Sequence, residues 1–103
     1  MNYLITESQF DRVIFKFLDN KDFIKIEKGE TIYFVNSEDD EYDQIRYKKS
    51  DGWCYVNYNI IDEISNFFSL QDDDSEQVIG RWVENTIQMK VTNIQVVDYF
   101  FSY

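Results

Sequence analysis

Histidine and proline are absent from this chain of 103 residues, cysteine occurs once and glycine three times. Each absence excludes some chemistry. Without histidine there is no Ser-His-Asp triad, no Cys-His dyad and no histidine-ligated zinc. A single cysteine excludes an internal disulfide and any site built from several thiolates. Without proline no Xaa-Pro isomerisation can slow folding, and one source of rigid turns is missing. Basic residues are scarce: ten Lys and Arg stand against twenty Asp and Glu, a formal net charge of −10. That balance opposes direct nucleic-acid binding, which rests largely on neutralising phosphates. Long apolar runs are missing too, since no window approaches the ~20 apolar residues that span a bilayer. The opening Met1-Asn2-Tyr3-Leu4-Ile5-Thr6 has neither the positive leader nor the apolar run of a signal peptide. The expectation is a cytoplasmic protein in a reducing compartment, without membrane contact.

What remains is rich in core formers. Hydrophobic residues make up 44% and aromatics 18%, too many for a disordered chain. No repeat and no Gly/Ser linker divides the sequence, so residues 1–103 read as a single α+β domain. Thr6-Glu7-Ser8-Gln9 is a capping box. Phe10, Val13, Ile14, Phe17 and Leu18 follow at helical spacing, with Phe15 off that stripe, so the first helix is predicted over roughly 7–19. The period then changes. Residues 23–27 alternate, with Ile24 and Ile26 on one face, and 31–36 are β-branched and aromatic. Ile45 and Tyr47 alternate with Arg46 and Lys48, and Asp51-Gly52 is a tight-turn signal before a strand over 53–58. Four short strands on short turns predict an antiparallel meander with one face packed on the first helix.

Asn59 is placed to cap a second helix whose apolar stripe is Ile60, Ile61, Ile64, Phe67 and Phe68. Three consecutive Asp interrupt it. Asp74 or Ser75 would then cap a third helix carrying Val78, Ile79, Trp82, Val83 and Ile87. Gly80 sits inside that helix at a cost of ~1 kcal/mol relative to Ala; a close approach of another element is one reason to keep it. The β-prone tail 91–103 predicts a last strand in part of its length.

Charge is unevenly spread. Glu38, Asp39, Asp40, Glu41 and Asp43 crowd one loop, and from Asp51 to Glu76 there are seven acidic residues and no basic one. These two stretches predict an acidic pole, built from the loops near residues 40 and 73. The compact basic cluster is Arg46, Lys48 and Lys49. Such a field steers basic partners at low salt, although charge runs also serve solubility alone.

Asp72, Asp73, Asp74 and Glu76 gather hard oxygen ligands. An EF-hand loop, however, needs Gly at its sixth position and Glu at its twelfth, and counting from Asp72 those are Gln77 and Val83. The acidic residues fit a helix start better, where the macrodipole favours negative charge. Cys54, between Trp53 and Tyr55 in a strand and with no base to activate it, reads as a small buried hydrophobe. Asp62 and Glu63 are adjacent on a helix and do not share a face. Gly29, Gly52 and Gly80 are scattered and form no phosphate loop. The expectation is therefore no catalytic residue, no metal and no cofactor.

The aromatics are the richer signal. Tyr33, Tyr42, Tyr47, Trp53, Tyr55 and Tyr58 lie on or beside the predicted sheet. Some alternate onto the face opposite the core, where exposed rings favour a protein interface. The alternative is that the later helices and the last strand cover that second face as another layer. The terminal Tyr99-Phe100-Phe101-Ser102-Tyr103 is strongly apolar, and either tucks into its own sheet or pairs with another subunit.

Ile5-Thr6-Glu7-Ser8-Gln9, followed by its amphipathic helix, resembles the opening of small uncharacterised proteins in phage and marine metagenomic sequences, and Ile79-Gly80-Arg81-Trp82-Val83-Glu84-Asn85-Thr86 is similar to a later stretch of them. The resemblance implies a small virus-encoded protein of the host cytoplasm, and no site residue.

The functional expectation is a non-enzymatic acidic interaction or accessory protein. Its partner is another protein or a second copy of itself, engaged through Glu38, Asp39, Asp40, Glu41, Asp43, Asp72, Asp73, Asp74, Tyr99, Phe100 and Phe101. Three alternatives stand beside it: a DNA mimic that inhibits a basic DNA-binding protein, a structural homo-oligomer or assembly component, and an enzyme using carboxylates with a divalent ion.

Overall fold

A computed structural model describes residues 7–36 and 44–98, with side chains in the first stretch from residue 11. Helix α1 (Glu7–Asp19) leads into strands β1 (Ile24–Lys28), β2 (Thr31–Val35), β3 (Ile45–Lys48) and β4 (Trp53–Asn57). Helices α2 (Tyr58–Phe68) and α3 (Asp72–Ile87) follow, and then β5 (Asn93–Val97). The sheet runs in chain order from β1 to β5. The first four strands pair antiparallel, as the short turns predict, and β5 lies parallel to β4. Parallel neighbours need a long crossover, and here α2 and α3 supply it. The architecture is the α+β arrangement read from the sequence: a helix, a four-stranded meander, two helices and a C-terminal strand. Among the described residues no helix is long and apolar enough to cross a membrane.

Strand alternation divides the sheet into two unlike faces. Register aligns Ile32 with Tyr47, Phe34 with Ile45, Tyr47 with Cys54, Ile45 with Val56, and Cys54 and Val56 with Ile94 and Val96. These residues form one face, and they join Ile14 and Leu18 of α1, Ile60, Ile61 and Ile64 of α2, and Val78, Ile79, Trp82 and Val83 of α3 in one core. All three helices therefore stack on the same side. The expectation that later helices would cover the second face is corrected. The crossover returns on the side already occupied by α1, because the apolar stripes of α2 and α3 need the same buried strand residues that α1 needs.

Local signals shift by a few residues. Asn57, not Asn59, caps α2: its Oδ1 accepts the Asn59 backbone N–H at 2.8 Å. Helix α3 begins at Asp72 rather than after Asp74 or Ser75, with Gln71 at the cap. The three Asp thus form its first turn, where the helix dipole favours them, and Ser75 is buried and bonded to the Ser65 hydroxyl at 2.8 Å. Both helices end on a left-handed residue, Ser69 and Gln88, each at a C-cap.

Helix α1 is rotated from its predicted stripe. Ile14 and Leu18 are fully buried, but Val13 is 56% exposed and Phe15 packs on the core. The cause is polar anchoring to α3. Asp11 accepts a bidentate pair of hydrogen bonds from Arg81 at 2.5 and 2.9 Å. Asp19 accepts from the Trp82 indole N–H at 2.9 Å. Asp11, Phe15 and Asp19 follow one another at four-residue spacing and share a face, so these anchors turn that face toward α3. Phe67, predicted within the α2 stripe, is 67% exposed and stacks on Phe17 at 5.1 Å.

Candidate functional site

The face away from the helices is built by the half of each strand's alternation that the core does not use. Register places Ile26 beside Tyr33, Tyr33 beside Arg46, Arg46 beside Tyr55 and Tyr55 beside Gln95, in one row across five strands. The next row runs Lys28, Thr31, Lys48, Trp53, Asn93. Cations thus alternate with rings. The Arg46 guanidinium carbon lies 5.1 Å from the Tyr33 ring centre, and the Lys48 ammonium lies 5.7 Å from that of Tyr55. Trp53 and Tyr55 lie 6.1 Å apart at 31°. Both distances to the cations fall within cation–π range. The strand residues of this face include no carboxylate; Glu27 lies on the helix side, where it pairs with Lys49.

Exposure is graded along this face. Val35 and Asn57, at the end from which α2 departs, are buried. At the other end Lys48 is exposed and Trp53 and Tyr55 are half-buried. Asp51 Oδ1 accepts the Trp53 backbone N–H at 3.0 Å and fixes the turn that presents this corner. Gly52 takes φ +75°, which suits glycine in so tight a turn. The predicted basic trio is divided by strand alternation: Arg46 and Lys48 lie on the ring-bearing face, and Lys49 turns to Glu27.

The predicted acidic sites separate into described and undescribed residues. Glu38, Asp39, Asp40, Glu41, Asp43, Tyr42 and the tail Tyr99, Phe100 and Phe101 lie outside the described residues. Asp72, Asp73 and Asp74 are exposed on the first turn of α3. Asp72 is partly structural, because its Oδ1 accepts from the buried Ser65 hydroxyl at 2.8 Å. The field there is felt by neighbours. The charges of Asp72 and Asp62 hold the Tyr58 phenol above its ordinary value. Burial, then Asp73 and Asp72, raises the Glu76 carboxyl. Among the described residues no three carboxylates or thiols converge in the manner of metal ligands.

Cys54 sits in the core with no exposed surface, and burial pushes its thiol up to about 12. Such a thiol has almost no thiolate at neutral pH and is a packing group. Tyr47 beside it donates its hydroxyl to the Lys90 carbonyl at 2.8 Å, and burial raises its phenol. A cleft of about 260 Å³ between α1, α3 and β1 is lined by Asp19, Asp22, Phe23, Lys25, Phe34 and Trp82 among others. Its three rings stand 5.4–6.4 Å from one another, which is direct ring-on-ring packing, and the indole N–H is committed to Asp19. The cleft is a packing seam.

The interleaving of Arg46 and Lys48 with Tyr33 and Tyr55 was legible as alternation in the sequence. Its position on a face that no described helix covers was not. No family model, curated protein or solved structure matches this chain.

Proposed function

We propose that this protein is a non-enzymatic interaction module whose protein partner docks on the helix-free face of the sheet, at the corner formed by Lys48, Trp53 and Tyr55. The observation that carries the reading is the stacking of all three helices on one side, with a ladder of rings and cations on the other. Trp and Tyr dominate binding energy at interfaces because they bury large area with little entropy to lose. The cations among the rings fit a partner segment that carries carboxylates. The acidic start of α3 repels the same segment elsewhere, so like-charge repulsion favours one docking face and orientation.

The test is an affinity pull-down at low and moderate salt after nuclease treatment, read by mass spectrometry. Wild-type protein should retain a partner that the Trp53→Ala/Tyr55→Ala variant loses, with recovery falling as salt rises. Equal recovery by a variant with an unchanged circular-dichroism spectrum sinks the proposal.

A second reading, DNA mimicry, is favoured by the exposed Asp73 and Asp74 and by the negative field at Tyr58. It expects the protein to compete with duplex DNA for a basic DNA-binding protein, and the competition to disappear on Asp73→Lys/Asp74→Lys.

A further inference from the structure

We infer that the outer edge of β5 is a self-pairing surface, on which a second copy of this chain adds its own β5 antiparallel about a two-fold axis through Gln95. The sheet has two edges, and they differ in chemistry. Edge strand β1 carries Lys25, Glu27 and Lys28, charges that discourage edge-to-edge pairing. Edge strand β5 reads Asn-Ile-Gln-Val-Val, with no charge. Proline, the other common guard of an edge, does not occur in the chain. Beyond β5 no strand follows among the described residues.

The ladder phase selects the register. The Asn57 N–H donates to the Gln44 carbonyl at 2.9 Å, so the odd residues of β4 address β3, and Cys54 and Val56 address β5. In the parallel ladder Ile94 and Val96 stand level with Cys54 and Val56 and point the same way, so they turn their N–H and C=O groups outward, and Asn93, Gln95 and Val97 address β4. An antiparallel partner closes hydrogen-bonded pairs only between residues of that outward set. With Gln95 on the axis, Ile94 and Val96 close hydrogen-bonded pairs with Val96 and Ile94 of the second copy, and Gln95 meets Gln95 of the second copy between them as a close non-hydrogen-bonded pair. That register is also the one in which all five residues overlap. It keeps Ile94 and Val96 on the helix side of both sheets, as a continuous core demands.

Charge supports the same occupant. Exposed Lys90 precedes the strand and exposed Asp98 follows it. Antiparallel pairing about Gln95 brings Asp98 of each copy opposite Thr92 of the other, with Lys90 two residues further on. Diagonal neighbours stand ~7–8 Å apart, within reach of a lysine side chain. The ends of the strand are thus complementary to a second copy of themselves. Isologous pairing of this kind closes and stops at two chains. The net charge of −10 opposes approach at low ionic strength, so the measurement belongs at ~0.15 M salt, where the screening length is about 8 Å.

The experiment is sedimentation equilibrium of the full chain across a concentration series up to millimolar. The wild type should dimerise. Gln95→Lys sets like charges face to face on the axis and should weaken the dimer at least tenfold, with an unchanged thermal midpoint for the monomer because Gln95 is exposed. Asp98→Lys should weaken it by a similar factor, and Lys90→Glu/Asp98→Lys should restore it. A monomer at every concentration overturns the inference, as does a dimer indifferent to Gln95→Lys or a charge swap that fails to restore pairing. The Trp53→Ala/Tyr55→Ala variant should still dimerise, which separates this inference from partner binding on the sheet face.

Discussion

Gly80 is the position where a single added methyl tests the packing of the crossover. A Cβ there would lie 2.4 Å from Cδ1 and 3.2 Å from Cγ1 of Ile94, and 3.9 Å from Cγ1 of Val91. Non-bonded carbons rest ~3.5–4.0 Å apart, so the first contact cannot persist and the second is compressed. Two effects oppose each other in Gly80→Ala. Alanine is the better helix residue by about 1 kcal/mol. Overpacking costs ~1–3 kcal/mol. The Cδ1 methyl can rotate away, but Cγ1 belongs to a strand held to β4 over five residue pairs. Overpacking therefore wins, and the net loss should be about 1 kcal/mol. Ile94→Val deletes the Cδ1 atom. Alone it should cost ~0.5–1 kcal/mol, the low end for such a change because Ile94 is half-buried. Combined with Gly80→Ala it should cost less than the sum by about 1 kcal/mol, since the two side chains touch. Guanidinium unfolding of the four proteins, extrapolated at constant slope, measures this. In thermal melts 1 kcal/mol corresponds to ~4–8 °C for a domain of this size. If Gly80→Ala instead stabilises by the helix increment, or the two changes simply add, β5 does not press on α3 as described.

Two further predictions concern titration and reactivity. Burial and then the charges of Asp73 and Asp72 raise the Glu76 carboxyl in the folded chain. The folded state therefore holds that proton to higher pH than the unfolded state, and its contribution to stability falls as pH rises through the folded value. Glu76→Gln should raise the thermal midpoint at neutral pH and leave it unchanged below the ordinary carboxylate range; an equal gain at both refutes the assignment. The Cys54 thiol, pushed up to about 12 by burial, should react with a disulfide reagent at neutral pH only as fast as the fold opens. Its labelling should accelerate in Gly80→Ala, and immediate labelling of the native protein would contradict its burial.

Much of the fold was legible in the residues. The alternation in β2, β3 and β4 separated Ile32, Phe34, Ile45, Tyr47, Cys54 and Val56 from Tyr33, Arg46, Trp53 and Tyr55, and the structure buries the first set. The spacing of Val78, Ile79, Trp82 and Val83 specified the buried face of α3. Turn chemistry at Asp51-Gly52 predicted the β3–β4 hairpin. These features are local: a side chain's face follows from its position along a strand or helix, whatever lies elsewhere.

Other features depended on the whole molecule. Val13 and Ile14 both belong to an apolar stripe, yet one is exposed and the other buried, because Arg81 and Trp82, over sixty residues away, grip Asp11 and Asp19. The candidate site is of the same kind. Periodicity determined that Trp53 and Tyr55 share a face with Arg46 and Lys48. It held no information on whether a second helical layer would cover them, or on which strand β5 would join. Those outcomes were decided when α2 and α3 packed beside α1, since three apolar stripes buried against one sheet face leave the other face without a helix among the described residues.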